Sequence, residues 1–477
     1  MKILTAFICF FFCAQLSAQR SKKPWSNPEN YKEEVIESIK NSPQIIHPEL
    51  YFNKNEYIHT DKNKMDINSK ITSDSFVNGI NIAWVNFGKD VGLDPDFQTQ
   101  YHPDMEKFNE IMTAVSDAGG NVIRWWYHTN GSTNPVFDDD KKVTANPAFF
   151  YDDIKSILDL AASKDLKIQI CLWSFDMLKD QWNVDAAANK KLLTEEIYFQ
   201  SYIDNALLPL VNEIGDHPGL YAWEIFNEAE GMTVEYGNHW AGFIERVSIV
   251  DVQKFINKTA AAIRAEQPNV KITNGALGFL TSIDDQEKGY ENLYSDEKLK
   301  EKGGEEKGYL DFYNIHYYNW AGMDGSPFHN EYNPEKLDKE AVIAEYYPDD
   351  TFGVSSVDMI ISLMQNGWHG SLLWSWTDRS WDVMEPIIAS ATDYILSVEE
   401  NDYNGVRIYP NPTKGVVNII GLELESEVTI EIIDPTGKVV KKQLYSPATE
   451  SIDISNVAKG VYYINFGNKL SKMILKL

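Results

Sequence analysis

Residues 221–232 read YAWEIFNEAEGM. An apolar, aromatic-rich run breaks off at Asn227-Glu228, and three glutamates, Glu224, Glu228 and Glu230, fall inside one short segment. With the two-residue period of a strand, Ala222, Glu224, Phe226 and Glu228 share one face, and Tyr221, Trp223, Ile225 and Asn227 share the other. A strand this apolar on both faces is covered on both sides. A mid-strand carboxylate such as Glu224 then needs a partner, because an unpaired buried charge is costly. Arg124 is the candidate. Glu228 falls where the strand stops, so its carboxyl can reach a ligand while flanking aromatics limit its hydration. That desolvation raises its pKa, as a general acid requires. Glu230 reads as a solvated loop charge.

The same kind of run recurs along the chain. Apolar strand-like stretches occupy 79–86, 121–127, 166–173, 220–227, 270–274, 309–317, 341–345 and 371–375, which makes eight. Amphipathic helical patterns lie between them, at 105–118, 151–163, 192–214, 252–266 and 357–365. Alternating strand and helix implies parallel strands with crossover helices. Eight such units match a closed (β/α)8 TIM barrel, expected here over 76–392. The structural competitor, an open doubly wound sheet, would carry a Gly-rich phosphate turn after its first strand. FGKDVGLD stands there instead. The loops after the strands are long and rich in polar and aromatic residues, whereas those before them, such as AGG at 118–120, are short. In a barrel the long loops gather at the C-terminal mouth, where active sites form.

Composition bounds the function. A net charge of −28 opposes nucleic acid and anionic membranes as partners and suits a neutral or cationic substrate. Lys2 followed by the apolar run 3–13 and by Leu16-Ser17-Ala18 reads as a signal peptide over 1–18, too short to span a bilayer. No other stretch is long and apolar enough to be a transmembrane segment. Cys9 and Cys13 leave with the signal, so Cys171 has no intrachain partner and no disulfide framework is expected. Residues 19–75 read as an N-terminal extension. Nine scattered histidines without H-E-x-x-H give no metal site, and no cofactor is expected.

After about residue 392 the pattern changes. A linker (393–405) leads to period-two strands with the turn Asp434-Pro435-Thr436-Gly437 between two of them, a small all-β sandwich over 406–477.

A glycosidase typically needs a second carboxylate facing the first. The run AVIAE, ending at Glu345 in the seventh strand, supplies it, because strands four and seven oppose each other across a barrel mouth. WEIFNE with Glu228, VIAE with Glu345, IHYY with His316 and Tyr318, and LLWSW with Trp374 together resemble glycoside hydrolase family 5 and its clan. The resemblance implies a retaining endo-β-glycanase acting on a β-1,4-linked polysaccharide, mannan first, with cellulase or another β-glucanase of the clan as the alternative. A surface polysaccharide-binding protein that has lost catalysis is the rival from another class. The resemblance also implies site residues. Glu228 is the acid/base and Glu345 the nucleophile. Arg124 supports the nucleophile, Asn227 binds the sugar 2-hydroxyl, and His316 and Tyr318 form the strand-six pair. Trp374, or Trp376 in its place, floors the sugar site. Strict alternation turns Asn227 away from Glu228, so a local bulge or twist is expected at that strand end. Family members often carry a His at the end of strand three, where this chain has Ser174. The segment Arg407 to Gly415, with Gly437-Lys438, Gly460-Val461-Tyr462-Tyr463 and the closing 472–477, resembles the type IX secretion sorting domain. It implies the outer-membrane secretion machinery as a partner and a secreted or cell-surface protein.

Overall fold

The structure is a computed structural model that describes residues 76–94, 99–401, 407–420, 428–435, 437–445, 451–466 and 471–476. The expected signal peptide and N-terminal extension lie outside the described residues. Two compact units divide between Ile388 and Ala389.

In the first unit eight strands close into a parallel barrel. They are β1 (Val77–Ala83), β2 (Val122–Thr129), β3 (Lys167–Ser174), β4 (Leu220–Asn227), β5 (Lys271–Ala276), β6 (Tyr313–His316), β7 (Ala341–Glu345) and β8 (Gly370–Leu373). Neighbours follow chain order, and β8 closes on β1 with Val77 beside Gly370. The strands are buried almost throughout, as their β-branched and aromatic runs require. Outside them, the helix Met105–Asp117 buries Phe108, Ile111, Met112 and Val115 at helical spacing. Asp104 caps it by accepting from the Lys107 N–H. The helix Ile249–Glu266 opens on a Ser248–Asp251 capping box.

Two expected elements differ. The pattern at 192–214 is not one helix but Ala186–Thr194, Glu196–Tyr202, a π turn Ile203–Leu207 and Leu208–Ile214. Glu195 is extended, which ends the first piece, and Pro209 at the start of the last has no N–H to offer the preceding turn. The run at 309–317 keeps only Tyr313–His316 as strand. Ahead of it the Asp311 N–H donates to the Ile272 carbonyl at 2.7 Å, but the Asp311 carboxylate takes the Ile272 N–H and Arg264, both at 2.8 Å, so a side chain stands where the ladder would continue.

Trp381–Asn401 is helical and runs into the stretch expected as linker. In the second unit β9 (Arg407–Tyr409), β10 (Val416–Ile420) and β13 (Ser451–Asp453) form one antiparallel sheet. The other joins β12 (Val439–Tyr445), β11 (Val428–Ile433), β14 (Gly460–Phe466) and β15 (Ser471–Lys476) in that order. Ile408, Val417, Ile430, Ile452, Ile464 and Ile474 share its core. The architecture is thus a TIM barrel followed by a small all-β domain. No helix among the described residues is long and apolar enough to cross a membrane.

Candidate active site

The end of β4 departs from strict alternation. Glu224 faces the barrel interior, but the Phe226 ring packs outward on Phe255 at 5.0 Å between centroids, so the two do not share a face as alternation implied. Asn227 turns back inward and accepts from Arg124 at 2.8 Å. The β4–β5 register shifts between Glu224 and Asn227, the irregularity the sequence demanded. Glu228 then adopts a left-handed conformation with φ of 48° and donates its N–H to the Gly275 carbonyl at 2.8 Å. Only that turn brings both Asn227 and Glu228 to the mouth.

Arg124, in the middle of β2, organises the layer beneath. It forks onto Glu224 through Nε and Nη2, both at 2.6 Å. Nη1 donates to Asn81 Oδ1 at 2.8 Å and to Glu345 Oε1 at 2.6 Å. With the Asn227 bond, all five guanidinium donors are used. Glu224 also accepts from Gln169 at 2.7 Å. The partner expected for Glu224 is therefore present, and a fully buried charge is tolerated because every donor and acceptor is matched. Gly275 leaves the room: a methyl there would overlap Glu224 Oε1 and stand 3.2 Å from Arg124 Nη2.

Above this layer Glu228 and Glu345 face each other. Glu345 ends β7, with Oε1 on Arg124 and Oε2 accepting from the Tyr318 hydroxyl at 2.8 Å. His316, at the end of β6, brings Nδ1 to 2.8 Å from Glu228 Oε1 and 3.4 Å from Glu345 Oε2. One carboxylate oxygen of each glutamate and one ring nitrogen lie within 4.8 Å of one another. Burial, helped by the nearby Glu230 charge and opposed by Arg124 and Lys179, pushes the Glu228 carboxyl up to about 8. Burial also raises Glu345, against the opposing pull of His316, Arg124 and the Tyr318 hydroxyl. Burial lowers His316, so its ring is neutral. One carboxyl thus keeps its proton near neutrality, while the other is held by a guanidinium and a phenol. That pairing can protonate a leaving oxygen on one side of a bond and attack carbon on the other.

Glu230 corrects the sequence reading. It is not a solvated loop charge but fully buried, accepting from the Thr281 hydroxyl at 2.7 Å and the Leu277 N–H at 3.3 Å. Sequence alone could not place it, because both donors come from the loop after β5.

Among the aromatics, Trp374 joins Trp126, Ala83 and Cys171 in one cluster, with Trp84, Phe87 and Tyr347 against it. Trp374 Nε1 donates to Asp378 at 2.6 Å, which holds the indole plane. The Trp376 N–H donates to the Asn81 carbonyl at 2.9 Å, and its ring packs on Trp381 and under Lys107. Trp125 points outward to Phe108, so of the Trp125–Trp126 pair only Trp126 faces the mouth. Asp90 was missed. It ties down the turn after β1 by accepting from the Val85 and Asn86 N–H groups at 2.9 and 2.6 Å and from Trp125 Nε1 at 3.0 Å. Burial pushes its carboxyl up to about 6.

Both parts of the chain are similar to known proteins. Residues 407–477 match the secretion system C-terminal sorting domain, which supports a secreted or cell-surface protein. A mannan endo-1,4-beta-mannosidase of Mytilus edulis is 31% identical over 325 residues, 64% of this chain and 85% of that protein. The β-mannanase structure from the blue mussel superposes with a TM-score of 0.60 at 28% identity, covering 67% of this chain and 92% of that one. The β-1,4-mannanase of the sea hare Aplysia kurodai gives 0.60 at 29% identity over 67% and 92%. With a closed eight-stranded barrel and two facing glutamates at its mouth, the chain belongs to the mannan endo-1,4-β-mannosidase family, glycoside hydrolases of the family 5 type.

Proposed function

We propose that the chain is a secreted retaining endo-β-1,4-mannanase in which Glu345 is the nucleophile and Glu228 the acid/base. The observation that carries this is the approach of the two carboxyls to within 4.8 Å, with unlike surroundings. Retaining glycosidases hold their carboxyls about 5 Å apart, whereas inverting ones leave room for a water at roughly 6.5–9.5 Å. Glu345 attacks the anomeric carbon as Glu228 gives its proton to the departing glycosidic oxygen, leaving a covalent glycosyl-enzyme. Glu228, now a carboxylate, takes a proton from water as that water releases the sugar.

Arg124 and Tyr318 occupy both Glu345 oxygens and hold them in line before attack. His316 Nδ1, 2.8 Å from Glu228 Oε1, orients the acid/base carboxyl. Asn227, anchored by Arg124, is assigned the sugar 2-hydroxyl, and Trp374 the floor beneath the ring, its C–H faces stacking on the indole. Trp376 is not part of this reading. The signal peptide at 1–18 and the sorting domain are proposed to carry the enzyme through the type IX route.

Reducing-end release is measured on galactomannan, glucomannan, carboxymethylcellulose, xylan and laminarin, with wild type and Glu345→Ala. The reading expects release from both mannans and none from the variant. Greater release from carboxymethylcellulose would replace mannan by β-glucan, and undiminished release by the variant would sink the mechanism.

A further inference from the structure

We infer that Glu230, the third glutamate of the opening stretch, is a positioning residue for the reaction: a buried negative charge that keeps the acid proton on Glu228. The inference rests on the assignment of Glu228 as acid/base. Glu230 belongs to the short turn Ala229–Met232 that directly follows Glu228, and its side chain is fully buried. Its Oε1 accepts from the Thr281 hydroxyl at 2.7 Å and Oε2 from the Leu277 N–H at 3.3 Å, and neither partner carries charge. The negative charge is thus held in place without being neutralised.

Two buried carboxyls two residues apart ionise in sequence, not together. Burial raises the Glu230 carboxyl too, but the Thr281 hydroxyl and the Leu277 N–H oppose that rise, so the first proton leaves Glu230. Among the described residues, Glu228 has only the His316 ring nitrogen against Oε1, and that ring is neutral, so the second proton stays on Glu228. The groups facing Glu228 fit this order. Glu230 and Asp176 disfavour its anion, Arg124 and Lys179 favour it, and Glu345 and Tyr318 stand across the mouth. Tyr236 and Tyr294 are the titratable neighbours of Glu230.

Glu230→Gln keeps the shape and removes the charge; Glu230→Met removes charge and polarity. For a mannan oligosaccharide, whose leaving group needs a proton, the alkaline limb of the kcat/KM profile moves down by about one pH unit in each variant. For a dinitrophenyl β-mannobioside, whose leaving group departs unprotonated, kcat/KM stays within about twofold of wild type. An unmoved limb overturns the inference. Equal loss on both substrates, or failure of both variants to fold, assigns Glu230 to the fold instead and also overturns it. A wild-type protein inactive on both substrates is a different failure, because it removes the mannanase reading itself.

Discussion

Glu228→Gln should make the protein inactive and more stable, increasingly so as pH rises. The carboxyl is 8% exposed, and its pKa is pushed from an ordinary 4.5 up to about 8. The folded state therefore holds the proton more tightly than the unfolded chain. Below pH 4.5 both states are protonated and this group leaves stability unchanged. Between pH 4.5 and about 8 the unfolded chain ionises while the folded one does not, so stability falls steadily. At ~1.36 kcal/mol per pKa unit the loss is about 3 kcal/mol by pH 7 and about 4 kcal/mol by pH 8. Glutamine fills the same volume with no proton to lose, so the variant escapes this fall. Urea unfolding of the barrel, followed by tryptophan fluorescence at pH 5, 6, 7 and 8, measures it. Near-coincident curves at pH 5 should separate toward pH 8, with the variant ahead. A stability difference that does not change with pH, or a wild type that is the more stable at pH 8, refutes the reasoning.

Arg124→Lys keeps one charge but loses the fork that holds Glu224, Glu345 and Asn227 together, and should destabilise by ~3–5 kcal/mol in calorimetry. Gly275→Ala drives a methyl into Glu224 Oε1. It should cost about 1–3 kcal/mol of stability and lower kcat; wild-type kinetics would contradict the crowding. Trp374→Ala should lower kcat/KM by about tenfold, the scale of one lost ring stack, whereas Trp376→Ala, whose ring rests on Trp381, should leave it near wild type.

Much of this was legible in the residues because barrel strands advertise themselves. Leu220–Asn227 and Ala341–Glu345 are apolar runs that stop at a carboxylate, and both ends fall as read. Arg124 was legible as the partner of Glu224 because a lone cation in an apolar strand has few other uses. Period-two reasoning failed where the chain leaves the ladder. Phe226 points out to Phe255 because the β4–β5 register slips, and nothing local encodes a slip set by the neighbouring strand. Glu230 and Asp90 were misread or missed for a related reason. Their donors lie in the loop after β5 and in the turn and strand around Trp125, so polarity in sequence looked like exposure. The helical pattern at 192–214 kept its period across two breaks, and periodicity alone does not report them.

The stereochemistry of the first product tests the two-carboxylate account most directly. Proton NMR of a mannan oligosaccharide during the first minutes of hydrolysis, before mutarotation, reads the anomeric configuration of the newly formed reducing end. Carboxylate oxygens within 4.8 Å leave no room for a water between nucleophile and sugar, so the β anomer should appear first and the α anomer only later. An α anomer formed first would mean direct attack by water, and would contradict Glu345 as the nucleophile.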